Sequence, residues 1–152
     1  MRAEVISVNT EVEALLAEAQ LPVADLASSR SLNLLGFRDR GCLVGVVGVE
    51  VYGSVGMLRS LAVDPAHRNT GLGAALVSNA ETWAAEQGVE TQYLLTTTAA
   101  KFFARLGYEA VPRSEAPAAI AATAQFSELC PASSTFMRKV LAANNSLQAR
   151  RP

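Results

Sequence analysis

From residue 42 to residue 63 the chain carries two apolar runs that suit strands and little else. Residues 42–52 are rich in valine and glycine and hold no charge before Glu50, which predicts a mostly buried strand. Gly53-Ser54 follows, and a second run covers residues 55–63. A Gly-Ser pair between such runs fits a two-residue type II′ hairpin. That register sets Tyr52 against Val55, Glu50 against Met57 and Gly48 against Arg59. The period then changes. Residues 71–87 place Leu72, Leu76, Ala80 and Trp83 on one helical face, and Gly88 stands where a helix ends.

Weaker patterns complete the chain. Residues 4–8 alternate as a short first strand, and Thr10 caps a helix with Val12, Leu15, Leu16 and Ala19 on one side, stopped by Pro22. A short helix over 23–29, a strand over 34–38 and a turn at Asp39-Arg40-Gly41 come next. After the long helix the pattern predicts a strand at 92–96, a helix at 99–106 closed by Gly107, and a strand at 108–111. Residues 114–124 read as a loop with a helical turn, 134–141 as a last strand, and 144–152 as a frayed tail. The order of elements defines one α/β (α+β) domain, with a mixed, mostly antiparallel central sheet flanked by helices.

Composition narrows the partners. A chain of 152 residues suits one domain, half of it is hydrophobic, and no apolar run reaches membrane-spanning length. The first twenty residues alternate and carry acids, unlike a signal peptide. A net charge of −1 without a basic block argues against nucleic acid. Cys42 and Cys130 match no metal spacing and are expected to be buried, reduced thiols of a cytoplasmic protein; the lone His67 builds no histidine metal site. Trp83 is expected in the core.

Chemistry concentrates where the second strand ends. Asp64-Pro65 leads into His67-Arg68-Asn69-Thr70-Gly71-Leu72-Gly73, directly before the long helix. The exposed N–H groups of a helix start and the positive end of its dipole form an anion site, and glycines let a phosphate approach the backbone. No Gly-Lys-Ser/Thr follows, so this is not a Walker loop, and its mid-chain place sets it apart from the opening turn of a dinucleotide fold. Asp64 itself reads as a turn-forming residue.

Two blocks then carry a resemblance: LAVDPAHRNTGLG, containing Arg68-x-x-Gly71-x-Gly73, and YLLTTTAAKFFARLGYEAVPR further on. With them the chain resembles the GCN5-related N-acetyltransferase superfamily over residues 1–143, leaving 144–152 as a flexible tail. LLTTTAAKFFARLGY and the region ending MRKVL are similar to the acetyltransferase domain of N-acetylglutamate synthases. With APAAIAATAQFSELCPAS, the chain looks most like the small arsenic-resistance, or amino-acid, N-acetyltransferases.

The resemblance implies acetyl-CoA as co-substrate and a small amino-acid-like amine as acceptor. The backbone of Leu61, Ala62 and Val63 would receive the pantetheine arm as an added strand. N–H groups of Arg68, Asn69, Thr70, Gly71, Leu72, Gly73 and Ala74 would hold the pyrophosphate, with charge from Arg68. Lys101 and Arg105 either meet the 3′-phosphate or form a plain exposed basic face, and Phe103 would lie beside the coenzyme. A homodimer is allowed; a metal, a nucleic acid and a membrane are not implied.

The sequence departs from the superfamily at two positions. A glutamate is often found where this chain has Met57, and a tyrosine acid where it has Phe103, the second ring of Phe102-Phe103. A thiol leaves as thiolate without much help, but an alkylamine must lose a proton before it attacks. Opposed residues of a hairpin share a face, so Glu50 becomes the candidate base, directly or through water; otherwise it is a rim carboxylate paired with an arginine. Arg59 either binds an acceptor carboxylate or pairs with Glu50. Arg38, Thr96, Thr97 and Arg138 are further candidates for an anionic acceptor. A weakly catalytic acetyl-CoA or metabolite-binding module and a protein acetyltransferase are the competing functions. Cys130 as an As(III) ligand stands against a buried structural thiol.

Overall fold

A computed structural model of the chain describes residues 3–21, 31–123, 126 and 134–141. Seven strands are neighbours in the order β1-β2-β3-β4-β5-β7-β6: β1 Glu4–Ile6, β2 Leu32–Asp39, β3 Cys42–Tyr52, β4 Val55–Val63, β5 Thr91–Thr96, β6 Glu109–Ala110 and β7 Thr135–Val140. β4 and β5 run parallel, whereas β1–β2, β2–β3, β5–β7 and β6–β7 run antiparallel. Among the described residues four α-helices accompany them: α1 Thr10–Glu18, α2 Leu72–Glu86, α3 Ala100–Arg105 and α4 Ala118–Ala121. None is long and apolar enough to cross a membrane among the described residues. The expected helix over 23–29, the tail from 144 and Cys130 lie outside the described residues.

The described residues form two compact units, 3–50 with 58–83 and 51–57 with 84–141. In the first, α1 turns Val12, Leu15 and Leu16 onto Leu34 of β2, Leu43 and Val46 of β3 and Ala62 of β4. The cap of α1 is Asn9, whose side chain accepts from the Val12 N–H at 2.9 Å, where Thr10 was expected. Asparagine is a better cap than threonine, and the neighbouring residue took the place. The β2–β3 turn holds Arg40 at φ 54° and Gly41 at φ 84°, the two left-handed residues of a type I′ hairpin. Cys42 comes directly after that turn and is exposed, which corrects the expectation of a buried thiol.

Helix α2 comes close to β3 at Gly45: a Cβ there would stand 2.8 Å from Leu76 Cδ1 and 3.4 Å from Leu72 Cδ2. Any side chain at 45 would therefore have to displace the Leu76 side chain from where it packs on β3. Leu76, Val77, Ala80 and Ala84 are buried, while Leu72 and Trp83 are half-buried, so Trp83 is a flank of the core.

In the second unit Met57, Tyr93, Ile120 and Phe136 form an apolar cluster with Val55, Leu95 and Phe126 around it. Tyr93 stacks on Phe136 with centroids 5.4 Å apart, and Phe126 meets Phe136 edge-on at 5.3 Å. The predicted strand at 108–111 shrinks to two residues, because Tyr108 is bonded back to the Phe103 carbonyl at the end of α3.

Candidate functional site

The loop after β4 is laced by its own hydrogen bonds. Asp64 N–H donates to the Val44 carbonyl at 2.8 Å, which holds the loop's first residue on β3. The Asp64 carboxylate then accepts from Ala66 N–H at 3.1 Å and starts the 3-10 turn Pro65–His67, as its turn-forming reading required. Arg68 Nε donates to the Val63 carbonyl at 3.1 Å, and the Thr70 hydroxyl donates to the His67 carbonyl. Asn69 at φ 64° and Gly71 at φ 85° are left-handed, the alternation that gathers successive N–H groups into a concave anion nest. The Gly71 carbonyl accepts from Ala75 N–H at 3.0 Å, which opens α2. Leu72, Gly73 and Ala74 thus occupy the first turn, where N–H groups have no acceptor within the helix.

The strand feeding that loop carries a bulge. A Cβ on Gly48 would stand 3.4 Å from Arg59 Cγ, so the two lie opposite each other as the hairpin register predicted. The Asp64–Val44 bond lies one residue further along β4 than that register allows. The extra residue is Ser60, buried and held at φ 60°. A left-handed serine inside a strand is strained, and its hydroxyl accepts from Arg59 Nε at 2.8 Å. Beyond it Leu61 and Val63 are half-buried and Ala62 is buried in the α1 cluster.

Arg59 and Glu50 form an ion pair, Nη1 to Oε2 at 2.9 Å, with the whole residues only 5 % and 2 % exposed. Of the two sequence readings of Arg59, the structure displays the pairing with Glu50. Burying such charges costs several kcal/mol per ion unless each keeps its partner, so the pair behaves as one group.

The other candidates have varied surroundings. Arg38 reaches Glu4 of β1 at 3.0 Å, Glu11 of α1 at 3.2 Å and the Gly41 carbonyl at 3.2 Å. The bonds to Glu11 and then Glu4 raise its pKa, and this fork ties three elements of the first unit together. In the second unit Thr96 Oγ1 accepts from Ala99 N–H at 3.0 Å and so opens α3, while Thr97, Lys101 and Arg105 are exposed. Phe103 is buried edge-on between Phe102, 5.0 Å away, and Tyr108, 5.7 Å away. Arg138 faces Glu115 at 3.1 Å and Glu109 at 3.6 Å. Met57 is 0 % exposed, with the Thr123 hydroxyl 3.5 Å from its sulfur.

The structure thus gathers the loop, Leu61–Val63 and Glu50–Arg59 in the first unit, and Thr96, Lys101, Phe103 and Arg138 belong to the second. One arrangement escaped the sequence. His67 Nδ1 lies 3.2 Å from Asp64 Oδ2, and its Nε2 lies 3.2 Å from Asp39 Oδ2. Hydrogen bonding to Asp64 first and Asp39 second raises the His67 pKa. The Asp64 half was legible as an Asp-x-x-His spacing; Asp39 is 28 residues away and was not.

Residues 8–108 match the model of the acetyltransferase (GNAT) family, more than half of the chain, and the protein belongs to that family. Over 79 residues it is 34% identical to an uncharacterised N-acetyltransferase of Chlorobaculum tepidum, covering 51% of this chain and 50% of that one. Over 64 residues it is 41% identical to an amino-acid acetyltransferase of Pseudomonas fluorescens, covering 42% of this chain and 15% of that protein. The chain therefore spans about half the length of the first relative and far less of the second. In fold it resembles Neisseria gonorrhoeae N-acetylglutamate synthase, solved with coenzyme A and N-acetyl-glutamate. That match has a TM-score of 0.73 at 17% identity, over 93% of this chain and 35% of that one.

Proposed function

We propose that the protein is an acetyl-CoA-dependent N-acetyltransferase acting on the amine of a small, amino-acid-like acceptor. The observation that carries this is the loop 68–74: left-handed Asn69 and Gly71 run into the first turn of α2, in a chain of the GNAT family. That geometry suits a diphosphate, which would take N–H bonds from Arg68 to Ala74. The pantetheine arm would add to β4 at Leu61–Val63, past the stretch Val55–Met57 that pairs with β5. Lys101 is the candidate for the 3′-phosphate. The amino-acid acceptor is suggested by the Pseudomonas relative, an amino-acid acetyltransferase. An amino-arsenical acceptor extends the same reading.

Acetyl transfer needs an unprotonated amine held against the thioester carbonyl, with donors for the oxyanion. Glu50 is the proton acceptor in this reading, acting through water because Arg59 already occupies one of its oxygens. Arg59 then holds that carboxylate in place. Calorimetry with acetyl-CoA, followed by thiol release over a panel of amino acids and amino-arsenicals, tests the function. Glu50→Gln should lower kcat/KM by roughly 10²-fold or more and change its pH profile; an unaltered profile removes Glu50 from the chemistry.

A second reading, a coenzyme-binding module with weak catalysis, draws on the burial of Met57 and Phe103 among apolar neighbours, where the superfamily often has its acid–base pair. Tight acetyl-CoA binding with no turnover on any acceptor would favour it.

A further inference from the structure

We propose that His67 is a positioning residue for the coenzyme's diphosphate: clamped between Asp39 and Asp64, its imidazolium ties the 64–71 loop to the β2–β3 turn and holds the loop's N–H groups in their binding shape. The proposal rests on the acetyl-CoA reading above and names a residue which that reading does not use.

The geometry carries it. Each ring nitrogen faces a carboxylate oxygen at 3.2 Å. A neutral imidazole donates from one nitrogen and would turn a lone pair on the other carboxylate; only the imidazolium donates to both. Asp64 Oδ2 serves twice, taking the ring and Ala66 N–H, and the His67 carbonyl takes the Thr70 hydroxyl. Residue 67 is therefore held through its side chain to the β2–β3 turn and through its backbone to the loop, two residues before the left-handed Asn69. A loop fixed beforehand need not be ordered when its ligand arrives.

Charge acts in the same direction. The ring meets Asp39 at the end of β2 and Asp64 just after β4; the nearby cations in the chain are Arg40, next to Asp39, and Arg68, whose Nε donates to the Val63 carbonyl. With the ring protonated, one of its two carboxylate charges is compensated; deprotonation leaves both facing an arriving anion. The two bonds raise the His67 pKa, so the clamp is complete below the ordinary histidine range and is lost as pH rises through the raised value.

The test is calorimetry on the full chain with coenzyme A and with pantetheine, which lacks the diphosphate, from about pH 6 to about pH 9. Wild type, His67→Gln and Asp39→Asn are compared. At about pH 6, His67→Gln should bind coenzyme A roughly tenfold more weakly, the scale of one charge-assisted hydrogen bond, and pantetheine unchanged. The ratio of wild-type to variant affinity cancels the coenzyme's own titration, and it should shrink as pH rises. Asp39→Asn, an exposed change at a strand end, should move that loss to lower pH. Equal coenzyme A affinity in wild type and His67→Gln overturns the proposal, as does equal weakening toward both ligands. A wild type that binds coenzyme A at no pH overturns the acetyl-CoA reading, and the role of His67 with it.

Discussion

Strand β4 enters two buried environments of opposite character. At Arg59, in the first unit, it carries a guanidinium that is held by Glu50 and by the Ser60 hydroxyl. At Met57, in the second, it carries a thioether surrounded by Tyr93, Ile120 and Phe136. The first arrangement is directional and fails as a whole when one member is lost; the second is non-directional and fails in proportion to the volume removed. Burial alone therefore says little about what a position tolerates.

The sharpest way to break that contrast is Arg59→Ala, which leaves Glu50 buried without its cation and should cost about 3–5 kcal/mol in urea unfolding. The double variant Arg59→Met with Glu50→Leu should recover most of that loss, because no charge remains buried. If the single and the double variant are equally destabilised, the pair is not acting as one unit. Met57→Ala should cost about 2–5 kcal/mol, and Met57→Leu under about 1.5 kcal/mol, as an apolar cluster of fixed volume requires. A cost for Met57→Leu as large as that for Met57→Ala would show that the sulfur is specifically needed.

The smallest effect belongs to the exposed ionic fork of the first unit. The Leu43 N–H, and after it Arg38, lowers the Glu11 pKa. Its contribution is therefore present above the ordinary glutamate value, about 4.3, and is lost as pH falls through the lowered folded value. Comparing the thermal midpoints of wild type and Glu11→Gln across that range should show a gap that closes on acidification. A gap independent of pH would mean that charge plays no part.

These contrasts also mark how far the sequence could be read. The limits of β3 and β4 follow from two β-rich runs and one Gly-Ser turn, all local signals. The loop is legible for the same reason, since Arg68, Gly71 and Gly73 sit between a strand pattern and a helix pattern. Asn9 and Thr10 can both cap and stand one residue apart; asparagine is the stronger cap, and the structure uses it. Cys42 was expected to be a buried reduced thiol because it matches no metal spacing, yet it directly follows an exposed turn. The Glu50–Arg59 pair was foreseen as one of two alternatives, because a hairpin register places residues across from each other. Asp39 beside His67 depends on where two separate strands end, which no local pattern contains.

The bulge at Ser60 has a further consequence, one of parity. Alternation normally puts residues an even number apart on one strand face, yet Arg59 lies against Gly48 while Ala62, three further on, joins Val46 in the α1 cluster. Gly48 and Val46 share a face of β3, so Arg59 and Ala62 share one on β4. Deleting Ser60 would thus not simply shorten β4; it would exchange inside and outside for Leu61, Ala62 and Val63. For this strand the number of residues, as much as their identity, determines which side chains are buried.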